Sequence, residues 1–347
     1  MRPLAVIIII IGLTAFSSCD HNNKTSPLQP AKVYVANEAG GCVSVICLQD
    51  SLKTINIDLS DSVGNIFLPH NVQTAPDGKS VWATVEGSNK KSQLIVVDPN
   101  TEKIKERVQL GEGLHLAHVV LDNESKNAFV TSEETGEVIQ VDAATYQVVR
   151  KFDLGAEHAP HGLRYAHGKL YVANTGAKSM SVINLADGKV SDIPLGGMAV
   201  QTAVTRDDKF VFVSLYDSKE VIRYNLKSGQ ITRIPLPVTA QGPIQLYATP
   251  NSKLLYVADQ GELLGRPVSN QVFVIDISDA KVLSTIKAGN MAHGVVVSKD
   301  GQTVYVSNTM DNTVSIIDVT TQKVIYTIPV GKEPNGISYW FETGGMP

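Results

Sequence analysis

The stretch His293-Gly294-Val295-Val296-Val297, Lys299-Asp300-Gly301, Val304-Tyr305-Val306-Ser307-Asn308, Thr313-Val314-Ser315-Ile316-Ile317-Asp318, Lys323-Val324-Ile325-Tyr326-Thr327-Ile328 decides the fold. It contains four short runs rich in β-branched residues, with turn residues between them. Four such runs within about forty residues make one four-stranded antiparallel sheet, the unit of a β-propeller blade.

Each element of this unit recurs along the chain. The second run returns as Tyr34-Val35-Ala36-Asn37, Val81-Trp82-Ala83-Thr84, Ala128-Phe129-Val130-Thr131, Tyr171-Val172-Ala173-Asn174, Val211-Phe212-Val213-Ser214 and Tyr256-Val257-Ala258-Asp259. The third run ends in Cys47, Asp98, Asp142, Asn184, Asn225, Asp276 and Asp318. Asp or Asn at that point caps the following turn through its own side chain, a structural role. The pattern, from residue 32 to about 341, closely resembles the YVTN family of propeller repeats, YncE-like within the cytochrome d1-like propeller superfamily. The resemblance implies an all-β fold: a single seven-bladed β-propeller of four-stranded antiparallel blades. It carries little about function.

The two ends of the pattern are out of phase. The first run, from Val33, matches a second strand, while the last, Asn335-Gly336-Ile337-Ser338-Tyr339-Trp340, matches a first. One composite blade, built from both termini, is therefore expected to close the ring and remove its open edge.

The first residues differ from the repeats. Arg2 precedes an apolar run from Leu4 to Phe16, and Phe16-Ser17-Ser18-Cys19 follows. A positive start, a short hydrophobic region and small residues at a cleavage point read as a secretory signal over residues 1–18. The ending resembles a bacterial lipobox, with Phe16 where Leu is usual. That resemblance implies a lipid on Cys19, a flexible tether over 19–31, and the propeller over 32–347. The expected location is then the periplasmic or outer face of a bacterial membrane; an ordinary cleaved signal with an incidental cysteine is the alternative. Cys42 and Cys47 share one strand, roughly 16 Å apart and on opposite faces, so they cannot bond to each other. Both are expected to be free and mostly buried.

A net charge of −4 without any long Lys/Arg run disfavours a nucleic-acid surface, where clustered cations must displace counterions. No Cys-x-x-Cys-His is present for covalent haem, and no P-loop or Gly-x-Ser-x-Gly stands in a fitting context.

The histidines are not scattered. Six of eight, His70, His115, His118, His158, His161 and His293, lie in or just before first strands. Such segments make up about a fifth of a propeller chain, so chance would place one or two there. Aligned on the turn after the first strand, His70, His118, His161 and His293 correspond, with one-residue slips in blades three and four. Blade one offers Asn335 at this place. Four imidazoles on one arc at the channel mouth are a donor set for zinc or copper, with His115, His158 and the thioether of Met291 as secondary ligands. The alternative is that each histidine only starts an inner strand and hydrogen-bonds its backbone neighbours.

Other candidates on this top face are Glu86, Glu112, Glu133, Glu157, Asp259 and Arg266, the last in the longest insertion, residues 260–270. Three functions follow. The first is a binding module for a metal ion, small ligand or partner protein at the channel mouth. The second is a copper- or zinc-dependent enzyme with a glutamate as base. The third is a non-catalytic scaffold. A monomer, held to a membrane only through Cys19, is expected.

Overall fold

A computed structural model describes residues 31–341 and 344–345. The expected signal, Cys19 and nearly all of the tether lie outside the described residues. Seven sheets follow one another around a ring, six of them of four antiparallel strands taken in chain order from the channel outwards. Blade four shows the plan, with Pro160–Ala166 innermost, then Lys169–Asn174, Ser179–Asn184 and Val190–Pro194 outermost. The inner strands of the other blades are Phe67–Thr74 in blade two, Leu116–Leu121 in three, Ala199–Val204 in five, Pro243–Ala248 in six and Ala292–Val297 in seven.

The sequence pattern follows from how blades pack. A middle strand has a blade on either side, so both its faces are buried and it reads as an unbroken apolar run, as in Tyr256-Val257-Ala258. Outer strands touch water, and Lys323–Pro329 is mostly exposed apart from Ile328. Each seam between neighbouring blades holds its own apolar cluster. The seam between blades two and three, for example, joins Trp82, Leu94 and Val96 to Val119, Val130 and Ile139.

Blade one is composite, as the phase of the repeats requires. Pro334–Phe341 pairs antiparallel with Ala31–Asn37, in register Val33 to Tyr339, Tyr34 to Ser338 and Val35 to Ile337. A two-residue strand, Gly344–Gly345, adds to the other edge of Pro334–Phe341, making this the one five-stranded sheet among the described residues. Trp340 is fully buried in the seam with blade two and donates its Nε1–H to Gly78 O at 2.8 Å. Lys32 lies over its ring at 5.0 Å and pairs with Glu102 of blade two at 2.8 Å. The closing strand is thus tied across the ring junction by apolar packing, a hydrogen bond and a buried ion pair.

Cys42 is a free, half-buried thiol as expected. Cys47 is buried but disulfide-bonded, which corrects the expectation of two free thiols. The strand geometry excluded only a bond between these two and left Cys47 able to pair elsewhere.

Removing residues 334–347 takes away an entire inner strand and should abolish the cooperative unfolding transition. Trp340→Ala should lower stability by about 3–5 kcal/mol, read from chemical denaturation midpoints.

Candidate functional site

The inner strands begin at one end of the channel, and each starts with an irregularity. In every blade the pairing between the first and second strands slips by a residue near that end. In blade three the register jumps between Leu116 and Val119, and in blade four between Pro160 and Leu163. Blades two, five, six, seven and one slip at Pro69, Ala199, Pro243, Ala292 and next to Pro334. A bulge re-aims side chains that a regular strand would send into the seams. His70, His118, His161, His293 and Asn335 all lie within these bulges.

Four of the bulges are pinned by a hydroxyl from the second strand. Thr131 Oγ1 accepts the His118 N–H at 3.0 Å and donates to His161 O in the next blade at 2.6 Å. Thr84 does the same for Asn71 N–H and Ala117 O, both at 3.0 Å. Ser214 bridges Gln201 N–H to Ile244 O, and Ser307 bridges Gly294 N–H to Asn335 O.

These contacts correct the alignment of the histidines. His70, His161 and His293 share one position with Asn335, Val200, Ile244 and Ala117, so blade four has no slip. His118 alone stands one residue later, level with Asn71, Gly162, Gln201 and Gly294. The turn after the blade-four strand differs in length from the others, which misled an alignment anchored there.

Three imidazoles meet at the channel mouth. One ring nitrogen each from His70, His118 and His161 lies within 4.8 Å of the other two. Ring centroids are 4.9 Å apart for His118 and His161, 5.5 Å for His70 and His161, and 5.8 Å for His70 and His118. The Gln201 side chain of blade five lies over Gly162 and so reaches His118. A Cβ at residue 162 would stand 2.6 Å from Val200 O and run into the Gln201 side chain.

Partners behind the rings set their orientation. His161 Nδ1–H donates to Val200 O at 2.9 Å, which leaves its Nε2 lone pair facing Glu133 Oε1 at 3.7 Å. His293 Nδ1–H donates to Gln260 Oε1 at 2.7 Å, and its Nε2 is buried without a partner. His70 Nδ1 lies 3.6 Å from Glu38 Oε2, and Asn335 Nδ2 donates to the same oxygen at 2.7 Å. His70 Nε2 and His118 Nε2 are likewise buried and unpartnered. Gln201 Oε1 accepts the Thr202 N–H, so its amide NH2 faces His118 Nδ1 at 3.2 Å.

Burial and mutual repulsion keep most of the rings neutral. Desolvation first, then the charge of His70, brings His161 and His293 down to about 3. Desolvation and then His161, His70 and Arg164 hold His118 well below the ordinary imidazole range. His70 differs: burial opposes its charge, but the hydrogen bond and charge of Glu38, with Glu133 beyond, outweigh it and raise its pKa. Glu38 falls to about 2, because His70 and Asn335 together overcome its desolvation. Glu133 is raised by burial against the pull of His115 and His70.

The remaining candidates divide. His115 lies at the exposed rim, its ring 6.1 Å from His70 and its Nε2 3.5 Å from Glu133. His158 turns outward to Asp192 at 3.1 Å and Glu157 at 3.5 Å. Met291 is held at its backbone, its N–H donating to Ser269 O at 2.7 Å and its carbonyl accepting from Thr309 N–H at 3.0 Å. Glu86 accepts from Ser92 at 2.6 Å, and Glu112 is exposed. Asp259 is fully buried and accepts the Gln241 and Gly242 N–H groups, a structural task. Arg266 pins its insertion to blade five and the strand beyond by donating to Tyr216 O, Asp217 O and Gln241 O. Sequence reasoning missed Glu38, Gln201 and Gln260. Glu38 was findable, because it stands one beyond Asn37 as Glu86 and Glu133 stand one beyond Val85 and Ser132.

The sequence profile of the YNCE-like beta-propeller family matches residues 169–342. None of the curated proteins matches the chain. Among solved structures, virginiamycin B lyase from Staphylococcus aureus superposes with a TM-score of 0.65 at 17% identity, covering 80% of this chain and 92% of that one. Hydrazine synthase of Kuenenia stuttgartiensis gives 0.66 at 17% identity, over 77% of this chain and 88% of its own. Apo AztD from Citrobacter koseri gives 0.64 at 13% identity, over 92% and 99%. Likeness at this level establishes the propeller architecture.

The depressed histidines predict how stability depends on pH. His161 and His293 titrate near 6.5 in the unfolded chain but at about 3 when folded, so between those values the unfolded state binds more protons. Their contribution is present above pH 6.5 and lost as pH falls. His70, with its raised pKa, works in the opposite sense. Denaturation midpoints of the metal-free protein should fall from pH 6.5 to 4.5. The fall should be smaller in a His161→Asn/His293→Asn variant.

Proposed function

The chain belongs to the YNCE-like beta-propeller family, and on that scaffold we propose that the histidine cluster at the channel mouth binds a transition-metal ion, zinc or copper. The observation that carries this reading is the convergence of His70, His118 and His161, with two of their Nε2 atoms buried and unpartnered. Buried polar atoms are nearly always satisfied, and a bound group is one reason for an orphan. Three imidazoles, each binding in its neutral form, plus an open fourth position match the donor chemistry of zinc and copper. Glu133 and His293 stand beside the group as further donors.

Metal–nitrogen bonds of 2.0–2.1 Å in a tetrahedral site place the nitrogens roughly 3.4 Å apart. The present spread of up to 4.8 Å would need to contract by about one ångström. Loading His118 through Nε2 also requires its proton to move to Nδ1, where the Gln201 NH2 now stands. Turning that amide over would free an oxygen for Nδ1–H but leave the Thr202 N–H without its acceptor.

A second reading, a metal-dependent enzyme, rests on Glu133. Its raised pKa and its place between His115 and His161 suit a proton-transfer group beside a metal.

The full-length chain, purified without an affinity His-tag, should hold about one equivalent of zinc or copper by elemental analysis. A His118→Ala/His161→Ala variant with an unchanged circular dichroism spectrum should hold almost none. No metal in the wild type, even after incubation with both ions, would refute the reading. Gln201→Glu supplies oxygens for both the Thr202 N–H and His118 Nδ1–H. It should tighten metal binding at least about tenfold by calorimetry, in line with other outer-shell partners.

A further inference from the structure

The other end of the channel carries a different chemistry. A cavity of about 190 Å³ opens there between the turns that follow the inner strands of blades three to six. Arg164, Tyr247, Asn123, Arg206, His167 and Asp208 are among its lining residues. Arg164 is the fourth residue after the blade-four bulge begins and lies two residues before that strand ends. Its guanidinium lies 5.9 Å from the Tyr247 ring of blade six.

Among the described residues no carboxylate pairs with this guanidinium. It donates to the Leu163 carbonyl at 2.9 Å, and the ionisable groups coupled to it are Tyr247 and, further along the channel, His118. Five N–H donors in a planar fork are available, so most of that fork is left for something else. The single carboxylate lining the cavity, Asp208, is engaged by His167 at 2.6 Å. Arg206 adds a second positive charge at the exposed rim, and the Asn123 side-chain amide lies there too. Half-burial strips part of the water from this charge without supplying a counterion, which is unfavourable. A cavity that opens directly onto it gives an anion the place of that water.

We propose that this cavity binds a small oxyanion, a carboxylate or phosphate group on a ligand that fits about 190 Å³, with the half-buried Arg164 as its anchor and Arg206 at the rim. Arg164 offers its fork to two oxygens, the geometry that favours arginine over lysine for such groups. The Tyr247 ring closes one wall. The site is separate from the histidine cluster and does not depend on it holding metal.

The test is calorimetric titration of the full-length chain with inorganic phosphate and with succinate, at constant ionic strength set by sodium chloride. Saturable binding of at least one probe is expected. Arg164→Gln should weaken it at least tenfold, Arg164→Lys should weaken it less, and His118→Ala/His161→Ala should leave it unchanged. If neither probe binds saturably at 20 mM (on the order of the weakest useful affinities), or if Arg164→Gln binds as well as wild type, the proposal fails. Should Arg164→Gln not fold, nitrogen-15 spectra of arginine side chains in the wild type decide instead. The Arg164 Nε–H signal must shift on titration, and an unmoved signal overturns the assignment.

Discussion

One hydroxyl, repeated in four blades, holds both the ring and the site. Thr84, Thr131, Ser214 and Ser307 each accept an N–H from the bulge of their own blade and donate to the inner strand of the next. A seam of aliphatic side chains is non-directional and would tolerate small sliding between blades. The hydroxyl is directional, so it fixes the height of one inner strand against its neighbour. Thr131 is the most consequential of the four, because the two backbones it joins belong to His118 and His161. Blades one, four and six have Ala36, Ala173 and Ala258 at this place, so their bulges are positioned by packing and by the flanking blades.

The architecture was legible because a propeller's constraints are local and repeated. A middle strand must be apolar on both faces, a turn must carry Asp or Asn, and seven copies average out the noise in any one. The out-of-phase ends revealed the composite blade for the same reason. The site was legible only in part. His70, His161 and His293 share a position that repetition exposes, but the bulge that turns them toward the channel leaves no mark in residue type. His118 departs from the pattern by one residue. That residue puts it within reach of Gln201, which lies over Gly162 and is two blades away in sequence. Contacts of this kind belong to the closed ring, and no single repeat encodes them.

Glu38 and Gln260 illustrate the same point from the other side. Each follows its second strand and faces the bulge of the next blade, meeting His70 and His293 respectively. One is a carboxylate and the other an amide, and the consequence for the imidazole is opposite. The carboxylate raises His70, whereas His293 beside the neutral amide falls to about 3. The residue at one repeat position therefore sets the direction in which a buried ring's pKa moves. The channel consequently has imidazoles shifted in opposite directions at one end and a permanent guanidinium further in.

Closure of the ring by Pro334–Phe341 also bears on how the chain is made. A ribosome delivers Ala31–Asn37 almost first and its inner partner last, some three hundred residues later. During that interval a strand rich in valine presents an unpaired edge, the feature most apt to recruit another chain. Six blades can assemble as they emerge, yet the seam between blades seven and one stays open until synthesis of the ring is finished. Quality control of this molecule therefore rests on its final strand: an interrupted chain has nearly all the repeats and none of the closure.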